Sequence, residues 1–207
     1  FEPGLNEIIK KNHSSGRLIF TTNLEKALNN SNVIFICVGT PNIKGSQEVD
    51  LKYVFSAINE IAKKTKSKKI IVTKSTVPVG TGDQIEKNLK KLRRSNFEII
   101  SNPEFLREGE AIRDFRYPDR IVVGTNNNKN SKIIKSLYQP LINKGAKFFI
   151  TSRRGAELIK YASNAFLATK ITFINELSNL CEKADINIED ISLGMGTDLR
   201  IGSRFLR

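Results

Sequence analysis

Ile70-Ile71-Val72-Thr73-Lys74-Ser75-Thr76-Val77-Pro78-Val79-Gly80 runs from an apolar stretch into a polar segment closed by glycine. The same design returns downstream, where Phe97-Glu98-Ile99-Ile100 leads into Asn102-Pro103-Glu104-Phe105-Leu106-Arg107-Glu108-Gly109. Continuous apolar runs of this kind suit strands buried on both faces of a parallel sheet. Each polar segment opens a helix-like stretch. Ligands of open α/β sheets bind outside the carboxyl ends of the strands. Two polar, glycine-closed segments at two such ends therefore describe one site.

Outward from this pair, strand and helix alternate. A helix is expected over 3–12, with Pro3 near its first turn, then a strand over 18–21 and a helix over 24–29 capped by Asn23. Residues 33–38 read as a strand. A helix runs from an Asp50 cap to about 66, with Leu51, Val54, Ile58 and Ile61 at helical spacing. Strands follow over 69–73, 97–101, 121–123 and 147–151, and helices over 81–92, 103–113 and 131–143. Short connections between alternating elements imply a doubly wound parallel sheet with right-handed crossovers, a Rossmann-like α/β architecture. From 153 to 184 there is no proline, and no glycine after Gly155. Leu158, Tyr161, Ala162, Ala165, Phe166, Thr169, Phe173, Leu177 and Leu180 keep helical periodicity there. Such a helix would be roughly 45 Å long, a linker or dimer strut. A small helix starts over 188–193. The domain reading is a sheet domain over 1–152, then the long helix and the start of a helical domain over 153–207.

Composition bounds the function. The 207 residues are 39% hydrophobic and 27% charged, ordinary for a globular protein. No apolar run reaches the ~20 residues a membrane helix needs, and the first residues carry no signal-peptide pattern. A net charge of +13 invites an anionic partner, but the lysines lie in solvated runs among Asn and Ser, without a nucleic-acid reader motif. Nucleic acid and membrane are therefore not expected partners. Cys37 reads as a buried strand residue and Cys181 as a helical one, so no disulfide framework arises. His13 reads as a loop residue, and no metal site is expected.

Five segments, in order, resemble the UDP-glucose 6-dehydrogenases over essentially the whole chain. They are Glu2-Pro3-Gly4-Leu5, Cys37-Val38-Gly39-Thr40-Pro41, the two segments quoted first, and Glu157-Leu158-Ile159-Lys160-Tyr161-Ala162-Ser163-Asn164, which continues into Asn175–Glu182. The ending Arg200-Ile201-Gly202-Ser203-Arg204-Phe205-Leu206-Arg207 is similar to that family's lead-in to its cysteine loop. The resemblance implies oxidation of the C6 alcohol of UDP-glucose to the acid by two NAD molecules in turn, through an aldehyde and a cysteine thioester. The long helix suggests a homodimer or higher homo-oligomer, and the lysine-rich composition with two unpaired thiols suggests the cytoplasm.

The resemblance further implies roles for particular residues. Val38, Gly39, Thr40 and Pro41 would contact NAD, although alone they equally describe a plain β-to-α turn. Ser75 and Thr76 would line the nicotinamide side, Thr76 also holding water near the reacting carbon. Glu104 would be the acid/base residue, and Glu108 would lie beside NAD. The spacing of four would put both carboxylates on one helix face. Phe105, Leu106 and Arg107 would join the substrate pocket. Lys160 and Asn164, again four apart, would stabilise the oxyanion, on a helix packed closely on several sides around Tyr161, Ala165 and Ala168. Phe205, Leu206 and Arg207 would begin the loop holding the uridine diphosphate, and Arg200 would reach a neighbouring subunit's substrate.

Two parts of the family pattern have no counterpart: no G-x-G-x-x-G occurs, and no cysteine loop follows Phe205-Leu206-Arg207. The chain thus reads as an internal fragment, inactive alone. GDP-mannose 6-dehydrogenase is the alternative with the same chemistry. A non-catalytic assembly module is the alternative of another class.

Overall fold

The computed structural model describes residues 2–94 and 96–206. The chain forms two compact units, Phe1–Lys160 and Tyr161–Arg207. In the first unit, helices α1 (Leu5–Ser14) and α2 (Leu24–Asn29) precede β1 (Val33–Ile36). Then come α3 (Lys52–Lys64), β2 (Lys69–Thr73), α4 (Thr81–Lys91), β3 (Phe97–Ser101), α5 (Ala111–Arg116), β4 (Arg120–Gly124), α6 (Asn128–Ile142) and β5 (Lys147–Thr151). Helix α7 (Arg153–Ala184) starts in the first unit and continues through the second, which also holds α8 (Ile188–Gly196).

The five strands lie in the order β1-β2-β3-β4-β5. β2 is buried along its whole length, and its alternation builds two cores. Ile71 faces one layer with Val54, Ile58 and Ile61 of α3 and Ile85 and Leu89 of α4. Ile70 and Val72 face the other, with Ile100, Ile121, Val123 and Ile134. A period-2 strand with helices on both faces is the doubly wound arrangement the sequence implies.

One pairing is not parallel. β1, β2 and β3 run parallel, as do β4 and β5, but β3 and β4 meet antiparallel through Ser101 and Gly124. Antiparallel neighbours need no helical crossover, and the link between them forms only the six-residue α5. The expected doubly wound α/β class holds, with this reversal inside it.

Four local expectations are corrected. Residues 18–21 form no strand. Ile19 and Phe20 are exposed, and no neighbouring strand satisfies them among the described residues. His13 is not in a loop but in α1, stacked on Phe20 at 6.1 Å. Cys37 lies past the end of β1 and is exposed. The helix expected over 103–113 begins only at Ala111, because its first amides are used elsewhere. Leu106 N–H donates to the Glu104 carboxylate at 2.5 Å and Arg107 N–H to Asp114 at 3.0 Å. Side chains that capture nearby amides compete in this way with the helix ladder.

α7 has the expected span of 32 residues. It does not have the expected close packing on several sides: Leu158, Phe166, Phe173 and Leu180 are all exposed.

Candidate functional site

The carboxyl ends of β1 and β2 are laced together. Lys74 and Ser75 donate their amides to Ile36 O at 2.9 and 3.2 Å. Ser75 Oγ donates to Val38 O at 2.6 Å, and Thr40 Oγ1 to Thr76 O at 2.8 Å. Both hydroxyl protons are thereby committed to the backbone, leaving the oxygens as acceptors. The loop after β2 faces a small cleft shared by Ser75, Thr76, Val77, Pro103, Glu157 and Lys160. A wider polar hollow on α2, lined by Asn23, Glu25, Lys26, Asn29 and Asn30, shares no residue with this cleft.

Into the cleft α7 brings Lys160, which is 6% exposed. Its Nζ lies 2.9 Å from Glu104 Oε1 and 5.4 Å from the centre of the Phe105 ring. Arg120 stacks on the same ring at 4.2 Å. Glu104 therefore holds Lys160 with one oxygen while the other accepts Leu106 N–H. Lys74 stands nearby, donating to Asn102 O at 3.4 Å. Burial pushes the Lys74 ammonium below its ordinary pKa; the charge of Glu104 opposes that shift and Lys160 adds to it.

Asn102 anchors the Glu104 segment. It is 1% exposed; its amide nitrogen donates to Val122 O at 2.8 Å, and its side-chain oxygen accepts Tyr138 OH at 2.6 Å. Burial pushes the Tyr138 phenol up to about 12, so it stays a donor.

Glu157 has no role assigned by the sequence reading, yet it is the most heavily bonded acid in the cleft. It is 3% exposed. Gly80 N–H donates to Oε2 at 2.6 Å, while Gly82 N–H and the Ser101 hydroxyl donate to Oε1 at 2.9 and 3.0 Å. These amides open α4, whose positive dipole end favours a carboxylate. The sequence signal available was its place one turn before Lys160 on α7. One turn earlier still, Arg153 bonds Asp83 at 2.7 Å and also pairs with Glu86.

Among the described residues, the other anticipated side chains make no bond to Lys160, Glu104 or Glu157. Glu108 is exposed in the turn before Gly109, so it shares no helix face with Glu104. Leu106 and Arg107 are exposed, and the Arg107 guanidinium is engaged by Asp114 at 2.7 Å. Asn164 is exposed on α7 in the second unit. There, Arg200 pairs with its neighbour Asp198 at 2.7 Å, and Leu206 is buried with its carbonyl accepting Ser192 Oγ at 2.5 Å. Phe205 adopts a φ of +64°, and Arg207 lies outside the described residues. Val38, Gly39 and Pro41 stand at the end of β1, where a Cβ on Gly39 would meet nothing within 4 Å.

A doubly wound sheet with polar loops at the carboxyl ends of adjacent strands, beside a buried lysine paired with a partly exposed carboxylate, defines an α/β dehydrogenase-like protein. The chain belongs to the UDP-glucose/GDP-mannose dehydrogenase family: residues 1–142 match that family's NAD binding domain and residues 154–207 its central domain. It is 49% identical to a UDP-glucose 6-dehydrogenase of Rhizobium meliloti (strain 1021), over all of this chain and 48% of that protein. It is 51% identical to one of Rickettsia felis, over all of this chain and 46% of that protein. Among solved structures it superposes on a UDP-glucose dehydrogenase from Pyrobaculum islandicum with a TM-score of 0.91 at 36% identity, covering all of this chain and 48% of that one. A GDP-mannose dehydrogenase from Pseudomonas aeruginosa gives the same score at 30% identity, covering all of this chain and 49% of that one. The chain thus spans about half the length of the relatives it matches.

Proposed function

We propose that this chain is part of an enzyme that oxidises the C6 alcohol of UDP-glucose to the carboxylic acid with NAD. The observation that carries the reading is the pairing of buried Lys160 with Glu104 at 2.9 Å beside the Thr76 loop. An ammonium there stabilises an oxygen that gains negative charge as the alcohol loses its proton and as a tetrahedral intermediate forms. Glu104, with its second oxygen turned to a local amide, exchanges protons with water in the hydrolytic step. Thr76 holds that water. Phe105, Leu106 and Arg107 bind the sugar nucleotide.

The residues present fit the nicotinamide side of NAD, which supplies the hydride acceptor. The backbone at Gly39 is open to an approaching ligand, and the Thr40 and Ser75 oxygens keep acceptor capacity after donating inward. Val38, Pro41, Thr76 and Glu108 complete that side.

Identities of 49% and 51% to UDP-glucose enzymes favour UDP-glucose over GDP-mannose. The exposed Phe166, Phe173 and Leu180 of α7 favour a homodimer or larger homo-oligomer built on that helix. No helix among the described residues is long and apolar enough to cross a membrane, and a cytoplasmic enzyme is the reading in keeping with a sugar-nucleotide substrate.

The test is NADH formation by the full-length protein with each sugar nucleotide. Two NADH per UDP-glucose and none with GDP-mannose is expected. Turnover of GDP-mannose alone would reassign the substrate, and turnover of neither would remove the reading.

A further inference from the structure

The geometry points to Glu157 as a positioning residue that sets where Lys160 meets Glu104. Its carboxylate joins three pieces of the cleft. Gly80, which donates to Oε2 at 2.6 Å, closes the loop carrying Ser75 and Thr76. Gly82, which donates to Oε1 at 2.9 Å, belongs to the first turn of α4. Ser101, which donates to the same oxygen at 3.0 Å, ends β3 just before the Glu104 segment. Glu157 itself sits on α7 one turn before Lys160. The two loops and the lysine-bearing helix therefore share one buried anion.

A carboxylate 3% exposed with three donors on its two oxygens has a single orientation, because rotating it out of their plane would strand the buried Gly82 N–H and Ser101 hydroxyl. The space around it is tight. A Cβ on Gly82 would stand 3.0 Å from Oε1 and 3.3 Å from Ser101 Oγ. One helical turn is stiff, so fixing Glu157 fixes the start of the Lys160 side chain. Capping α4 alone would need only the Gly80 and Gly82 amides. The bond to Ser101 is the one that ties α7 to the strand leading into Glu104.

The kinetic arm of the test rests on the reading under Proposed function; the labelling arm does not. Glu157→Gln and Ser101→Ala are made in the full-length protein. Acetylation of lysines by a water-soluble succinimidyl acetate is followed by peptide mass spectrometry, well below each variant's melting temperature. Lys69 is the internal control: it is buried at the amino end of β2, donating to Leu28 O and Ser31 O at 2.6 and 2.5 Å. Acetylation of Lys160 relative to Lys69 should rise several-fold in Glu157→Gln and by a smaller factor in Ser101→Ala. With UDP-glucose, kcat of Glu157→Gln should fall about ten- to a hundred-fold, as for misplaced catalytic groups, with KM little changed.

A Lys160-to-Lys69 ratio equal to wild type in the folded variants would overturn the inference and leave Glu157 as a helix cap. If Glu157→Gln does not fold, the Ser101→Ala ratio decides. If the wild-type protein does not turn over UDP-glucose, the proposed reaction fails while the labelling ratio still decides the role of Glu157.

Discussion

Lys160 and Glu104 stand 56 residues apart in the chain, and their charged atoms meet at 2.9 Å. The pair is asymmetric: the Lys160 side chain is 8% exposed and that of Glu104 29%. The ammonium is thus held in a protein environment while the carboxylate keeps access to water. That division suits a fixed positive charge and a proton-exchanging acid, and it gives the two residues separable mutant phenotypes.

Lys160→Ala in the full-length protein should lower kcat on the order of 10²–10³-fold, with a much smaller rise in KM, because a donor used mainly in the transition state is lost. Steady-state kinetics with UDP-glucose check this. A change confined to KM would reduce Lys160 to a substrate-binding residue.

Glu104→Gln keeps the size of the side chain and a hydrogen-bond acceptor for Lys160 but removes the proton-exchanging group. The hydrolytic half of the reaction should slow, and a covalent enzyme–substrate adduct should accumulate, visible by intact-protein mass spectrometry after mixing with UDP-glucose and NAD. Normal turnover without adduct would take Glu104 out of the chemistry.

What the sequence made legible follows from local physics. β2, β3, β5 and α7 have the expected limits, because continuous apolar runs and an uninterrupted 3.6-residue period are local signals. Resemblance singles out Lys160 and Glu104, but their meeting is not legible in the sequence, since nothing local pairs two residues 56 apart. Glu157 stands within a recognisable motif but carries no local signal of its role, because its partners Gly80 and Gly82 are 77 and 75 residues away. The helix expected over 103–113 failed where the Glu104 and Asp114 side chains captured amides, a competition that apolar spacing does not register. The reversal at β4 was equally hidden, since a strand reads alike in either direction.

Tyr138→Phe should destabilise the protein without touching the cleft directly. The lost hydroxyl leaves Asn102 Oδ1 buried without the donor that stood at 2.6 Å, a cost of about 1–3 kcal/mol for an orphaned polar group. For a chain of this size that lowers Tm by several degrees. Thermal melts followed by circular dichroism check it. An unchanged Tm would mean that Asn102 finds another donor.

The join between α7 and α4 should be acid-sensitive. Hydrogen bonding from Arg154 first, with Arg153 contributing, holds Asp83 below the usual carboxylate range; Lys90 first, then Arg153, does the same for Glu86. A folded-state pKa below the unfolded one gives stability that is fully present above the unfolded value, near pH 4. That stability is lost as pH falls through the lower folded value. The Tm advantage of the wild type over Arg153→Met should therefore be constant from about pH 5 to 7 and shrink below about pH 4. A Tm difference that stays constant down to pH 3 would show that Arg153 acts through packing rather than charge.

The 207-residue chain taken by itself should bind NAD weakly and oxidise no UDP-glucose. Rossmann-like domains hold the pyrophosphate on the backbone amides of a helix N-terminus reached through a glycine-rich turn. No G-x-G-x-x-G occurs in this sequence. The amides at the start of α4 cannot substitute, because Glu157 already accepts from Gly80 and Gly82 at 2.6 and 2.9 Å, and a second anion there would meet a buried like charge. Thr40 and Ser75 offer acceptor oxygens, their protons being committed to Thr76 O and Val38 O, and a phosphate needs donors. Isothermal titration of this chain with NAD should give a Kd of about 1 mM or weaker, near −4 kcal/mol or less favourable. Micromolar binding would place the pyrophosphate on amides other than those of a glycine-rich turn, and would overturn the assignment of the Val38–Pro41 and Ser75–Thr76 ends as only the nicotinamide side of the site.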